Sequence, residues 1–157
     1  MIDSEKLLTF FRGNRAAVEL AFYIAKVADT WDNLIDRDKE VDDSEINRAF
    51  WMCLVDIPRN QFYMAHFNDL QPIIAQSIIN YGISNVYQGD SGLLETKDEA
   101  LALAHVLRYS VADVIVHMAF IVGGADWAAG VGPELRAMCQ RDTLANFMAE
   151  MEAKRNV

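Results

Sequence analysis

The chain has 157 residues, 52% hydrophobic and 24% charged, with three prolines and eight glycines, the composition of one globular domain rather than of a disordered or fibrous protein. Its net charge is −9, and the stretch from Asp29 to Glu45 sets eight acids against Arg37 and Lys39, a surface that repels phosphate backbones and anionic lipids. This argues against nucleic-acid binding through a basic face and against a membrane surface, and it suits a protein partner of basic character.

The start Met1-Ile2-Asp3-Ser4-Glu5 has no basic region followed by an apolar one, so no secretory signal is expected. The apolar stretch from Val111 to Val122 is interrupted by Asp113 and His117 and is too short for a bilayer, which predicts a cytoplasmic protein. Cys53 and Cys139 sit inside apolar helical patterns and read as small buried thiols in a reducing compartment.

Apolar residues recur three and four apart almost throughout, which predicts an all-α domain over 1–157, a bundle of five or six helices. A short helix covers Ser4 to Phe11 and stops at Arg12-Gly13. Asn14 caps a long acidic helix that runs to Ile35 or Arg37. Asp42 and Glu45 form a capping-box pattern for the next helix, with Val41 and Ile46 as a hydrophobic staple, and Pro58 is expected to end it. After a turn near Pro58 to His66, another helix is capped by Asn68 or Asp69, tolerates Pro72 in its first turn and ends at Gln88-Gly89. Thr96 and Glu99 open a second long helix, Lys97 to Val122, closed by Gly123-Gly124. Gly130-Val131-Gly132-Pro133 is expected to break the chain, with Pro133 starting a last helix that Asp142-Thr143 divides.

Two sets of residues are candidates for chemistry. Asp113 and His117 lie four apart within the apolar stretch, so they share a helical face where a carboxylate needs a partner, a proton or a metal. The structural reading pairs them with each other, or with Arg108 or Lys26; the functional one makes them ligand or general base. Asp29, Asp32 and Asp36 share another arc, continuing an apolar stripe of Val18, Phe22 and Ala25 that passes from core toward solvent. They crowd the helix end whose dipole favours cations, and Arg37, Lys39 or a divalent ion would offset them. Three such carboxylates suit Mg²⁺ or Mn²⁺, although Thr30 follows Asp29 where the Asp-Asp-x-x-Asp motif of helical isoprenoid synthases needs a second acid. The run Asp36, Asp38, Glu40, Asp42 imitates a calcium loop but has Val41 in place of the turn glycine and Asn47 in place of the bidentate glutamate. No nucleophilic triad, phosphate-binding glycine loop or Cys/His cluster is visible in the sequence.

The blocks Val27-Ala28-Asp29-Thr30-Trp31-Asp32-Asn33-Leu34-Ile35-Asp36-Arg37-Asp38 and Gly123-Gly124-Ala125-Asp126-Trp127-Ala128-Ala129-Gly130-Val131-Gly132-Pro133-Glu134 resemble segments of small helical proteins encoded by tailed bacteriophages and prophages. The resemblance implies an origin, with a bacterial host cell as compartment, and brings no catalytic motif. The expected function is a non-catalytic interaction or assembly protein. The alternative is a divalent-metal-dependent hydrolase acting on a phosphate ester or nucleotide: Asp29, Asp32 and Asp36 hold metal, Asp113 and His117 supply a further ligand or base, and Arg108 or Lys26 neutralises the substrate. Small residues around Trp127 suggest close packing that includes a subunit contact, hence a homo-oligomer. Whether the aspartate stripe and Asp113/His117 face one cleft decides between the two functions.

Overall fold

The helical periodicity carries through. In the computed structural model, which describes residues 3–37, 39–89 and 92–155, there are helices and loops and, among those residues, no strand. The fold is all-α. Helix α1 (Ser4–Phe10) starts on Asp3, whose carboxylate accepts from the N–H groups of Glu5 and Lys6, and the chain turns at Arg12 and Gly13, both at positive φ. Helix α2 (Arg15–Asp36) starts on Asn14, which accepts from Ala17 N–H. Helix α3 (Asp43–Trp51) starts on Asp42, whose Oδ1 accepts from Glu45 N–H at 2.9 Å, while the Glu45 carboxylate turns away from the expected box to Lys26 at 2.8 Å.

Pro58 does not end that helix. The chain passes through a π turn (Met52–Asp56) into α4 (Ile57–Arg59), and the wider turn relieves the clash between a proline ring and the carbonyl four residues back. Buried Asn60 stops it, caps α5 (Gln61–Ala65) and donates to Ala16 O at 2.9 Å and to the Glu19 carboxylate at 3.2 Å, fastening this corner to α2. Helix α6 (Phe67–Gln88) begins ahead of Asn68 and Asp69, which therefore do not cap it, and exposed Pro72 falls in its second turn.

Thr96 and Glu99 close both halves of their capping box at the start of α7 (Lys97–Arg108). The predicted helix from Lys97 to Val122 is broken: α8 (Val111–Gly123) follows after a bend of 47°. Ser110 Oγ donates to Leu107 O at 2.7 Å, and the N–H groups of Tyr109, Ser110, Ala112 and Asp113 bond three residues back, a tightened turn that redirects the axis. Gly124, at φ +84°, makes the corner into α9 (Ala125–Cys139), where a Cβ on Gly123 would stand 2.2 Å from Trp127 Cδ1. Gly130 to Pro133 do not break α9. Gly132 is buried against Val116, so close packing on α8 holds the segment helical. Helix α10 (Leu144–Arg155) comes last. Eight of these helices have seven residues or more, rather than five or six, because the long helix predicted from Lys97 divides and the last one is split at Asp142-Thr143 into α9 and α10.

The main core joins α1, α2, α5, α6, α8 and α9 through Leu7, Leu20, Phe62, Leu70, Met118 and Leu135, with Phe11 beside α1. A smaller cluster, Leu101 and Ala104 with Phe147 and Met151, seats α10 on α7. Trp127 donates to Phe10 O at 2.8 Å under the Arg12 guanidinium, and of the small residues near it Gly123 packs on its side chain and Ala128 is buried, while Gly124, Ala129 and Gly130 are exposed. Phe22, expected in the core, is 37% exposed. Cys53 is exposed rather than buried, and Cys139 is partly buried with its thiol pushed up to about 11 by that burial. No single helix among the described residues is long and apolar enough to cross a membrane; α7 and α8 qualify only together, across their bend.

Candidate functional site

The aspartate stripe of α2 does not run out into solvent. Arg108, at the last turn of α7, reaches over it: Nη2 lies 2.9 Å from Oδ1 and 3.0 Å from Oδ2 of Asp32 and also bonds the Asp36 carboxylate. The side chains of Arg108 and Asp36 are 12% and 10% exposed, so this is a desolvated ion pair. Tyr81 of α6, buried and set against the Trp31 ring, donates its hydroxyl to Asp32 Oδ1 at 2.8 Å. The Phe147 ring of α10 lies on the guanidinium, 5.9 Å from centroid to Cζ. Side chains of α2, α7 and α10 meet at Arg108, and Tyr81 of α6 joins them through Asp32, at the seam between the main core and the α7–α10 cluster.

Burial works against ionisation here, and the charges around each group decide its state. Desolvation raises the Asp36 carboxyl above the ordinary aspartate value despite Arg108 beside it. Burial and the Asp32 carboxylate push Tyr81 far up, which keeps its proton on the donating oxygen. Burial alone would lower Arg108, but Asp32 and Asp36 hold it above its usual value, permanently charged.

The third member of the stripe, Asp29, bonds Arg141 in the loop before α10 and lies 3.8 Å from Lys26, which also holds Glu45. The charges that offset the acidic helix end are therefore Arg108, Arg141 and Lys26 rather than Arg37 or Lys39. Among the described residues no group of three or more His, Cys, Asp or Glu is arranged to hold a metal ion, and the place between Asp32 and Asp36 is taken by the guanidinium. Asp38, in the run that imitates a calcium loop, lies outside the described residues.

Asp113 and His117 do not form the buried pair expected of them. Asp113 bonds Arg136 of α9, with side chains 42% and 49% exposed, and the His117 ring lies 5.3 Å from that of Phe120. Neither Arg108 nor Lys26 partners Asp113. Helix α8 is apolar nearly all round, yet one side is open, as Phe120 at 45% exposure shows. Arg136 borders a shallow groove of about 580 Å³ floored by Val116, Ala128, Ala129 and Gly132. No hydrogen bond or ion pair among the described residues joins Asp113 or His117 to the aspartate stripe: Asp32 and Asp36 turn to α7 and Asp29 to Arg141, while Asp113 turns to α9.

Sequence reasoning missed Tyr81, Arg136 and Arg141. A tyrosine within α6, whose one charged residue is Asp69, was a weak signal, since a buried phenol needs a partner, but nothing local names Asp32, 49 residues away. No protein-family model, curated protein or solved structure matches this chain, so the reading of these residues rests on their geometry.

Proposed function

We propose that this chain is a non-catalytic interaction or assembly protein of the phage and prophage kind, docking a basic partner at the acidic edge formed by the end of α2 and by α3. The observation that carries this reading is the surface of α3 and its π turn. Helix α3 buries no residue completely, while Phe50, Trp51 and Leu54 are 64%, 54% and 71% exposed. The acids Glu40, Asp42 and Asp43 lie at the other end of the same short segment, exposed to solvent. Large apolar side chains beside a concentrated charge are what a protein interface uses, the apolar part for affinity and the charge for steering. The hydrolase alternative has lost support, because two of its three metal carboxylates already share an arginine and its proposed base faces another helix.

The test is fluorescence titration with a synthetic amphipathic helix of lysine and leucine, and with its glutamate counterpart. Trp51 is expected to shift to the blue with the basic peptide alone, less so at high salt, and Leu54→Lys should weaken binding at least tenfold. Equal responses to both peptides, or none to either, would overturn the reading.

A further inference from the structure

We infer that the outer face of α6 is the contact through which two copies of this chain associate. Over 22 residues α6 carries one charged side chain, Asp69 in its first turn. One side of the helix is held by the fold through Leu70, Tyr81 and Ser84. The other is uncharged as well: Ile78, Ile79 and Val86 are 53%, 54% and 56% exposed, and Ile83 is 38% exposed. At 3.6 residues per turn Ile79, Ile83 and Val86 make one stripe, and Ile78 flanks it. From Ile78 to Val86, beyond the exposed Asn68, Asp69, Gln71 and Gln76 of its first half, the helix is apolar on its outer side too, and the described part of the chain leaves that side uncovered.

Gly82 lies within this face. Its φ is not positive, and a Cβ built on it meets nothing within 4 Å, so neither backbone conformation nor packing inside the chain calls for glycine there. Glycine weakens a helix interior. What it allows is close approach by a neighbour, which a second helix crossing at Gly82 would use, with the isoleucines around the crossing.

Charge selects a second copy as that neighbour. In a twofold contact each side chain meets the same surface on the partner, so any charge near the axis faces its own kind. On a chain of net charge −9 a self-complementary face has to be neutral, and this one is. A basic partner would find nothing to pair with here, and no lysine or arginine on α6 would hold an anionic lipid. The apolar part of this face, from Ile78 to Val86, is about 13 Å long and about 10 Å wide and offers roughly 130 Å². That is well under half of the ~800 Å² each partner gives a standard interface, so the dimer should be weak and in exchange at micromolar concentration.

Sedimentation velocity across the micromolar range tests this on the whole chain. The expected result is a concentration-dependent shift from the 17.7 kDa monomer toward twice that mass. Ile79→Lys should abolish the shift. Gly82→Leu, which fills open space in the monomer and leaves its melting temperature unchanged or higher, should raise the dissociation constant at least tenfold. Leu54→Lys, on the α3 face, should leave association intact, so this test and that of the basic partner fail separately. A monomer at every concentration overturns the inference and leaves the α6 face to another protein. Association that survives either α6 variant overturns it too, as does binding of the monomer to phosphatidylcholine vesicles through Ile79.

Discussion

Two arginine–aspartate pairs in this molecule have nearly the same chemistry and opposite surroundings. Arg108 holds Asp32 and Asp36 with a side chain 12% exposed, under Tyr81 and Phe147; Arg136 holds Asp113 with both side chains close to half exposed, beside a groove. Water screens the second pair and its long side chains lose entropy on pairing, so its net worth is small. In the first pair Arg108 and Asp36 have little access to water and Asp32 only partial access, at 25% exposure, so removing the arginine strands the carboxylates. The same bond in a sequence-level inventory is therefore a fold determinant in one place and a surface detail in the other.

Arg108→Leu should show the largest effect, a loss of about 3 to 5 kcal/mol in denaturant unfolding, because it leaves Asp32 and Asp36 facing each other in low dielectric. Arg108→Lys should recover only part of it, since one ammonium cannot reproduce a planar guanidinium shared by two carboxylates. Adding Asp32→Leu and Asp36→Leu to Arg108→Leu should restore more stability than the lysine does. If Arg108→Leu costs no more than an exposed pair, the contrast between the two sites collapses.

Tyr81→Phe sharpens the same point, at roughly 1.5 to 3 kcal/mol for a hydrogen bond to a charged group. It also carries a pH signature. The phenol's pKa is raised in the fold, so near pH 10 the unfolded chain releases a proton that the native state keeps, and stability falls as pH rises from there. The variant should flatten that alkaline decline, and urea titrations on either side of pH 10 measure it.

Arg136→Ala should cost under about 1 kcal/mol, and half a molar salt should erase the difference, because the pair is exposed. Asp113→Ala should match it, and a double-mutant cycle should return a coupling several times smaller than that between Arg108 and Asp32. Smallest of all is the response to metal. With Arg108 between the carboxylates, Mg²⁺ or Mn²⁺ should raise the melting temperature no more than NaCl at matched ionic strength. A larger divalent shift, lost in Asp29→Asn with Asp32→Asn, would revive the hydrolase alternative.

What the sequence determined by itself is what neighbours along the chain decide. The all-α class follows from periodicity, the start of α7 from Thr96 and Glu99, and the corner after α8 from a conformation at Gly124 that only glycine adopts readily. These features involve groups within about one helical turn, so their energetics are written in adjacent letters. Tertiary structure overruled the other local signals. Pro58 is absorbed by a π turn, Gly130 to Pro133 stay helical against α8, and the apparently continuous helix from Lys97 bends at Ser110. The candidate site divides the same way. That Asp29, Asp32 and Asp36 share a face was legible, but their partners were not: Arg108 comes from 76 residues beyond Asp32 and Arg141 from 112 beyond Asp29. A carboxylate stripe attracts a metal ion, an arginine or a basic partner by the same field. Which of them arrives depends on what the packing of other helices brings within reach, and whether the pairing matters depends on how much water that packing removes.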